Sequence, residues 1–171
     1  MNNVRLVESF PDDYENYYQI RCDETDIYWM GHKSKPDYEK LKQCFMERLS
    51  TCRFSQEGDK RIMMICTESK EDSSIGQVLF TLREGGIEIG ISIKKEFQGL
   101  GLGTHVIGQA VAFAGQYSNI LLAYIRDDNF ASQHCFKKNG FVPTDDFVIN
   151  EYPNAGNVKF RKYELILSNR E

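Results

Sequence analysis

The chain has no apolar run approaching the length of a membrane span, and its first ten residues, MNNVRLVESF, lack the apolar core of a secretory signal. Those two absences predict a cytoplasmic protein with no membrane partner. Its five cysteines, Cys22, Cys44, Cys52, Cys66 and Cys135, form no Cys-x-x-Cys pair and no metal-ligand spacing. The three histidines, His32, His105 and His134, are too scattered for a zinc site. No metal is expected, and an odd cysteine count without an export signal reads as free thiols, several of them buried as small hydrophobes. Excess positive charge is missing too: the net charge is −4 and the pI about 5.5, so the footprint of a nucleic-acid binder is absent. Repeats, low-complexity tracts and linkers are also lacking, so residues 1–171 read as one domain, long enough for a substantial core. An apolar content of 41% and a charged content of 27% are ordinary for a soluble globular protein.

What the chain does have is one informative stretch between Gly86 and Gly115. Ile87, Ile89, Ile91 and Ile93 alternate with Glu88, Gly90 and Ser92, the period-2 pattern of a strand. A short link, Lys94 to Phe97, leads to Gln98-Gly99-Leu100-Gly101-Leu102-Gly103. Val106, Ile107, Ala110, Val111, Phe113 and Ala114 then recur at helical spacing. Strand, glycine-rich turn, helix is a unit with a physical use. The first turn of a helix carries N–H groups with no partner inside the helix, and the macrodipole adds partial positive charge there. Glycines keep side chains out of the way, so the expected guest is a phosphate or diphosphate.

Spacing separates the nucleotide-binding patterns that this unit could represent. A Walker loop needs Lys-Ser/Thr after the last glycine, but Thr104-His105 follows Gly103. A dinucleotide fingerprint counted from Gly99 and Gly101 needs a third glycine where Thr104 stands, and an acid about twenty positions on, where Asn119-Ile120-Leu121 offers none. Both are excluded.

Around this unit the remaining elements are legible. Val4–Val7 reads as a short strand, Asp12-Asp13 as the opening of a helix through about Arg21, and Pro36-Asp37 as the opening of another with Tyr38, Leu41, Phe45 and Leu49 as its apolar stripe. The segment between the two helices, Asp26 to His32, holds the only tryptophan, Trp29. Residues 62–67 read as a strand buried on both faces, Glu68 to Ser74 as a turn, and Ile75–Leu82 as a strand tightly joined to the central one, an antiparallel meander. Asn119–Ile125 reads as a buried strand reached by a parallel crossover. After it come a helix with Phe130, Ala131, Cys135 and Phe136 on its apolar face, an Asn139-Gly140 stop, and two closing strands about a turn at 152–157. The expected class is α/β (α+β), a mixed, twisted sheet of about six or seven strands with helices on both faces.

Gln98-x-x-Gly101-x-Gly103, after a strand and opening a helix, resembles the central signature of the GNAT superfamily of acyl-CoA-dependent N-acyltransferases. Downstream, Asn129, Ser132, Phe136, Lys138, Gly140 and Phe141 fall on the spacing of that family's Asn-x-x-Ala/Ser-x-x-x-Tyr-x-Lys-x-Gly-Phe run. Together the two motifs carry the resemblance over about residues 62–167. It implies three parts: an acceptor-side lid over 1–58, a central sheet and diphosphate loop over 62–125, and a second acyl-CoA motif with closing strands over 126–171.

The resemblance implies further roles. The pantetheine arm of acetyl-CoA would enter between splayed strands and hydrogen-bond main-chain groups of Ile91, Ser92 and Ile93 as a pseudo-strand. The diphosphate would sit on the N–H groups of Gln98, Gly99, Leu100, Gly101, Leu102 and Gly103, with the hydroxyl of Thr104 in reach. Asn129 would touch the pantetheine or acetyl end or serve as a plain helix cap; Ser132 and Lys138 complete the second motif. The implied chemistry is direct attack of a neutral amine on a thioester, with an oxyanion donor near Ile91. Glu88 is the first candidate base, buried among isoleucines or else paired at the surface, with His134 and His32 as rivals. Where the family has a tyrosine as proton donor, this chain has Phe136, expected to pack on the thioester end. Tyr124 and Cys135 are substitute donors, or the thiolate leaves unaided, a thiol being acidic enough at about pKa 8.5.

Tyr28, Trp29 and His32 are expected to line an acceptor pocket or simply to pack between lid and sheet. The expected activity is acetyl transfer from acetyl-CoA to a primary amine of a small metabolite or amino sugar, by a monomer or homodimer. The alternatives are a protein N-terminus or lysine as acceptor, or an acyl-CoA-binding module without turnover.

Overall fold

The elements follow one another as β1 (Val4–Glu8), a 3-10 turn, α1 (Tyr14–Arg21), α2 (Glu24–Trp29), α3 (Tyr38–Ser50), β2 (Lys60–Thr67), β3 (Lys70–Arg83), β4 (Gly86–Ile93), a second 3-10 turn, α4 (Leu102–Ala114), β5 (Ile120–Arg126), α5 (Phe130–Lys138), β6 (Val142–Tyr152) and β7 (Gly156–Ile166). This is a computed structural model describing residues 4–50, 54–67 and 70–168. Cys52 lies outside the described residues; Cys22, Cys44, Cys66 and Cys135 are free thiols, Cys66 buried.

All seven described strands join one sheet in the order β1-β2-β3-β4-β5-β7-β6. β1 to β4 run antiparallel, β5 lies parallel to β4, and β7 then β6 return antiparallel. Alternation along the strands sends apolar side chains to two separate cores. Met63 and Ile65 of β2, Val78 and Phe80 of β3, Ile87 and Ile89 of β4 and Leu121, Ala123 and Ile125 of β5 pack with Val106, Ile107 and Ala110 of α4 and with Phe136. Ile62, Met64 and Cys66 face the other way, onto Tyr14, Tyr17 and Ile20 of α1 and Phe45 of α3. Each such large side chain contributes about 1.5–3 kcal/mol on burial. The edge strand β1 is tied to α4 by one side chain: Gln109 accepts from Leu6 N–H (2.9 Å) and donates to Val4 C=O (2.7 Å).

Two expectations need correction. The expected turn at 68–74 is cut short, because β3 already begins at Lys70 and pairs with Thr67 through an irregular register. The segment 26–32, read as a connection, is largely helix: Asp23 caps α2 by accepting the N–H of Thr25 at 2.9 Å. None of the described helices is long and apolar enough to cross a membrane.

The feature that positions the site is a break in the sheet. β4 and β5 pair only at Ile87↔Leu121 and Glu88↔Leu122. Beyond those two pairs the strands part, leaving a wedge that opens toward their C-terminal ends.

Candidate active site

Which main-chain groups face the wedge follows from the pairing of β3 with β4. Lys94 N–H donates to Ile75 C=O at 2.9 Å, and the register runs without a bulge from Gly76↔Ile93 to Arg83↔Gly86. Residues of an antiparallel strand alternate in direction, so Ser92 and Gly90 bond to β3 while Ile91 and Ile93 turn their N–H and C=O into the wedge. The carbonyl of Ile93 there accepts from the side chain of Gln98 (2.7 Å). Ser92, expected to offer main-chain groups, turns its side chain instead to the lid face, its backbone being committed to β3.

At the open end of the wedge the chain turns into α4. Gly99 and Gly101 hold φ of 74° and 76°, a left-handed conformation that costs a side-chain-bearing residue about 1–2 kcal/mol. A Cβ at either position would meet nothing within 4 Å, so the glycines are required by the turn, and the space outside them is open. No side chain caps α4. Its first-turn N–H groups therefore face a cleft with the partial positive charge of a 13-residue helix behind them.

That cleft, about 410 Å³, is lined on one side by Ile91, Ser92 and Ile93 of β4 and by Gln98, Gly99, Gly101, Leu102 and Gly103 of the loop. Asn129, Ala131, Ser132, His134 and Cys135 line it from the start of α5, and Thr25, Asp26, Trp29 and Met30 from α2. The side chain of Asn129 accepts Ser132 N–H at 3.1 Å, so it caps α5 and faces the cleft at once.

The helix α2 roofs the wedge and is pinned on every side. Asp23 accepts Lys95 N–H (3.1 Å), Gln98 donates to Thr25 Oγ1 (3.0 Å), and Lys95 pairs with Glu24. Over β5, the guanidinium of Arg126 lies 5.0 Å from the ring of Trp29 and 5.2 Å from that of Tyr28. Asp128 grips Arg126 through two hydrogen bonds, 2.9 and 2.8 Å, which hold the Asp128 carboxyl below its ordinary range. The β6–β7 turn closes the far end. Asn154 donates to Tyr28 C=O (3.0 Å), and Tyr152 packs so tightly on Gly31 that a Cβ there would sit 2.1 Å from its ring.

A chain of polar groups, buried but for the half-buried Ser92, joins roof to sheet. Ser92 Oγ donates to Asp26 Oδ1 at 2.6 Å, Gln77 Nε2 lies 3.5 Å from Ser92 Oγ, and Arg21 Nη1 stands 3.2 Å from Asp26 Oδ2. Asp26 is 5% exposed. Burial pushes its carboxyl up from the ordinary value, against the pull of Arg21, the Ser92 hydroxyl and His32.

Several expected site residues stand elsewhere. Glu88 sits at the apex of the wedge, outside the cleft lining, and its partly exposed carboxylate is held by Arg83 at 2.6 Å. The expected burial among isoleucines fails because the isoleucines point to the opposite face. Phe136 is 1% exposed and stacks edge-on against Phe141 in the α4–α5 core, not on the thioester end. Tyr124 turns toward a shallow depression with Asp145, Asp146 and Lys162. Thr104, Leu100 and Lys138 are outside the cleft lining, Leu100 being 60% exposed, and so are Tyr28 and His32. Asp26, Arg126 and the side-chain roles of Ser92 and Gln98 were missed. The signal for Asp26 was present, since an N-cap at Asp23 puts it in the first helical turn.

A mixed sheet that splays beside a glycine-turned, uncapped helix N-terminus is the architecture of an acyltransferase. Residues 3–142 match the model of the acetyltransferase (GNAT) domain, and the chain belongs to that family of acyl-CoA-dependent N-acetyltransferases. Solved structures of similar fold include the spermidine N-acetyltransferase from Vibrio cholerae in complex with CoA and spermine, at 14% identity, 95% of either chain and a TM-score of 0.78. The ribosomal L7/L12 α-N-protein acetyltransferase RimL in complex with coenzyme A is another, at 13% identity, 98% of this chain, 96% of that one and a TM-score of 0.78. A third is the aminoglycoside acetyltransferase AAC(6')-Ib in complex with coenzyme A, at 15% identity, 94% of either chain and a TM-score of 0.70. At these identities the likeness is one of fold. No curated protein matches the chain in sequence.

Proposed function

We propose that the protein, acting in the cytoplasm, transfers the acetyl group of acetyl-CoA to the primary amine of a small molecule, an amino sugar or a comparable metabolite. The observation that carries this reading is the wedge: two strand edges parted over a cleft that ends at uncapped helical N–H groups. Diphosphate on the amides of residues 99–103 anchors the donor. The pantetheine amides pair with the N–H and C=O of Ile91 and the N–H of Ile93, which adds main-chain hydrogen bonds without side-chain specificity.

In the reaction the amine nitrogen attacks the thioester carbon, the C–N bond forms, and the C–S bond breaks. The N–H of Ile91 faces the developing oxyanion, where a fixed donor in a site shielded from water lowers the barrier most. The thiolate leaves without a dedicated acid, because Phe136 carries no hydroxyl and is buried elsewhere.

The acceptor reading rests on the roof. A polypeptide needs an open groove, and the β6–β7 turn is closed onto α2 through Asn154 and Tyr152. Spermine, bound in one protein of similar fold, and an aminoglycoside, the acceptor of another, are molecules of the size such a closure admits.

The test is release of free CoA thiol when the protein meets acetyl-CoA with spermidine, kanamycin or a hexapeptide with a free N-terminus. Thiol release matched by acetylated spermidine or kanamycin is expected. Release with the hexapeptide alone would transfer the acceptor assignment to proteins, and no release with any amine would refute the reading.

A further inference from the structure

The buried polar chain on the lid face of β4 is not used by the donor. It has a property that calls for a partner. Among the described residues, four buried side chains keep a polar atom without a hydrogen bond; Asp26 Oδ2, Gln77 Oε1 and Arg21 Nε are three of those atoms, all in this one network. Asp26 and Gln77 are each 5% exposed. Buried polar atoms without a hydrogen bond are rare in folded proteins, and the two side chains on either side of the Ser92 hydroxyl each carry one: Asp26 reaches the hydroxyl through Oδ1 and faces Arg21 with Oδ2, while Gln77 approaches it through Nε2.

We infer that Asp26 receives the proton of the attacking amine, relayed by the hydroxyl of Ser92. The inference rests on the proposed acetyl transfer and names its proton path. Ser92 lies next to Ile91, whose N–H faces the thioester oxygen, and its side chain points to the lid side, from which an acceptor must come. Its hydroxyl hydrogen is already directed at Asp26 Oδ1, 2.6 Å away, leaving a lone pair for the amine. As the C–N bond forms, the amine proton passes to Ser92 Oγ, the Ser92 proton passes to Asp26, and the C–S electron pair leaves on the thiolate. The carboxylic acid so formed returns its proton through Ser92 to the thiolate or to solvent.

The surroundings suit a base better than those of Glu88, which is three residues, about 10 Å, from Ile91 along the strand and is held by Arg83. The charged and titratable groups facing Asp26 are Arg21 and Tyr17 from α1, and Asp23 and His32 from α2 and its C-terminal end. On the sheet side it meets the neutral Ser92, which Gln77 approaches in turn. Burial raises the affinity of Asp26 for a proton, and Arg21 limits the rise.

The test uses the full chain, acetyl-CoA and whichever of spermidine, kanamycin and the hexapeptide the wild-type protein acetylates fastest. The pH profile of kcat/KM should show an acid limb above the ordinary carboxylate range. Asp26→Asn should lower kcat/KM by about 100-fold or more and abolish that limb, with the affinity for CoA unchanged within twofold. Ser92→Ala, a smaller change in packing, should lower the rate comparably. Carboxyl-carbon NMR of the resting protein should show Asp26 titrating above its usual value, and higher still in Ser92→Ala, where the hydroxyl donor is lost. Should Asp26→Asn fail to fold, judged by loss of the CoA-induced thermal shift, Ser92→Ala and the NMR titration decide. A wild-type profile and rate in either folded variant, or an ordinary titration of Asp26, overturns the inference while acetyl transfer stands. No turnover of any of the amines by the wild-type protein overturns both.

Discussion

At Gly99 and Gly101 the backbone adopts left-handed angles with open space beyond, and this was legible because only glycine occupies such angles without strain. A valine at 101 should lower the melting temperature by roughly 2–8 °C, from a backbone cost of about 1–2 kcal/mol at 2–4 °C per kcal/mol for a chain of this size. It should also weaken CoA binding at least tenfold by calorimetry, because the branched side chain stands where the diphosphate approaches. Residues whose roles depend on direction were not legible. Glu88 and Ser92 share one face of β4, yet one is drawn off by Arg83 and the other by Asp26. Asp26 lies 66 residues from Ser92 in sequence, so spacing carries no trace of that pairing. Phe136 falls on the family's tyrosine position and on the apolar face of its helix, and its packing against Phe141 decides for the core over the thioester end.

Among the elements, α2 decides the shape of the acceptor side. Six residues give too little periodicity to read as a helix, so in the sequence its aromatics stand out and its cap does not. Asp23 does two jobs, capping α2 and accepting Lys95 N–H. Burial pushes its carboxyl up, but the hydrogen bonds from Thr25 and from the Lys95 amide outweigh burial and hold it below the ordinary value. A carboxylate depressed in the folded state stabilises above its unfolded pKa of about 3.9, and that contribution fades as pH falls through the folded value. Amides of residues 24–30 should therefore lose hydrogen-exchange protection on acidification before those of β2 and β3 do. Asp23→Ala should produce the same early loss at pH 7, at a cost of about 1 kcal/mol from the missing cap. Equal protection of α2 in both proteins would show that packing alone holds the roof. The long strands and the central helix were read correctly because their periodicity spans many residues. The early start of β3 was not, since polar residues near a register shift look like a turn.

For the molecule as a whole, the class of fold followed from the order of elements, and the family followed from two motifs at the right separation. The wedge itself was invisible in the sequence: a ladder that stops after two pairs leaves no mark on the alternation of isoleucines. Two bulk measurements report on it. CoA at a hundred times its dissociation constant should stabilise the fold by about 2.7 kcal/mol, which raises the melting temperature by roughly 5–11 °C. Trp29, the only tryptophan, lines the cleft and should change its fluorescence in proportion to CoA bound. A saturating thermal shift with no change at Trp29 would put the ligand outside the cleft.

Crystals grown with acetyl-CoA offer the decisive measurement. The diphosphate should lie against the amides of residues 99–103, the pantetheine between β4 and β5, and the thioester oxygen within hydrogen-bonding distance of Ile91 N–H. Electron density for the ligand elsewhere, with β4 and β5 closed upon each other, would contradict the account.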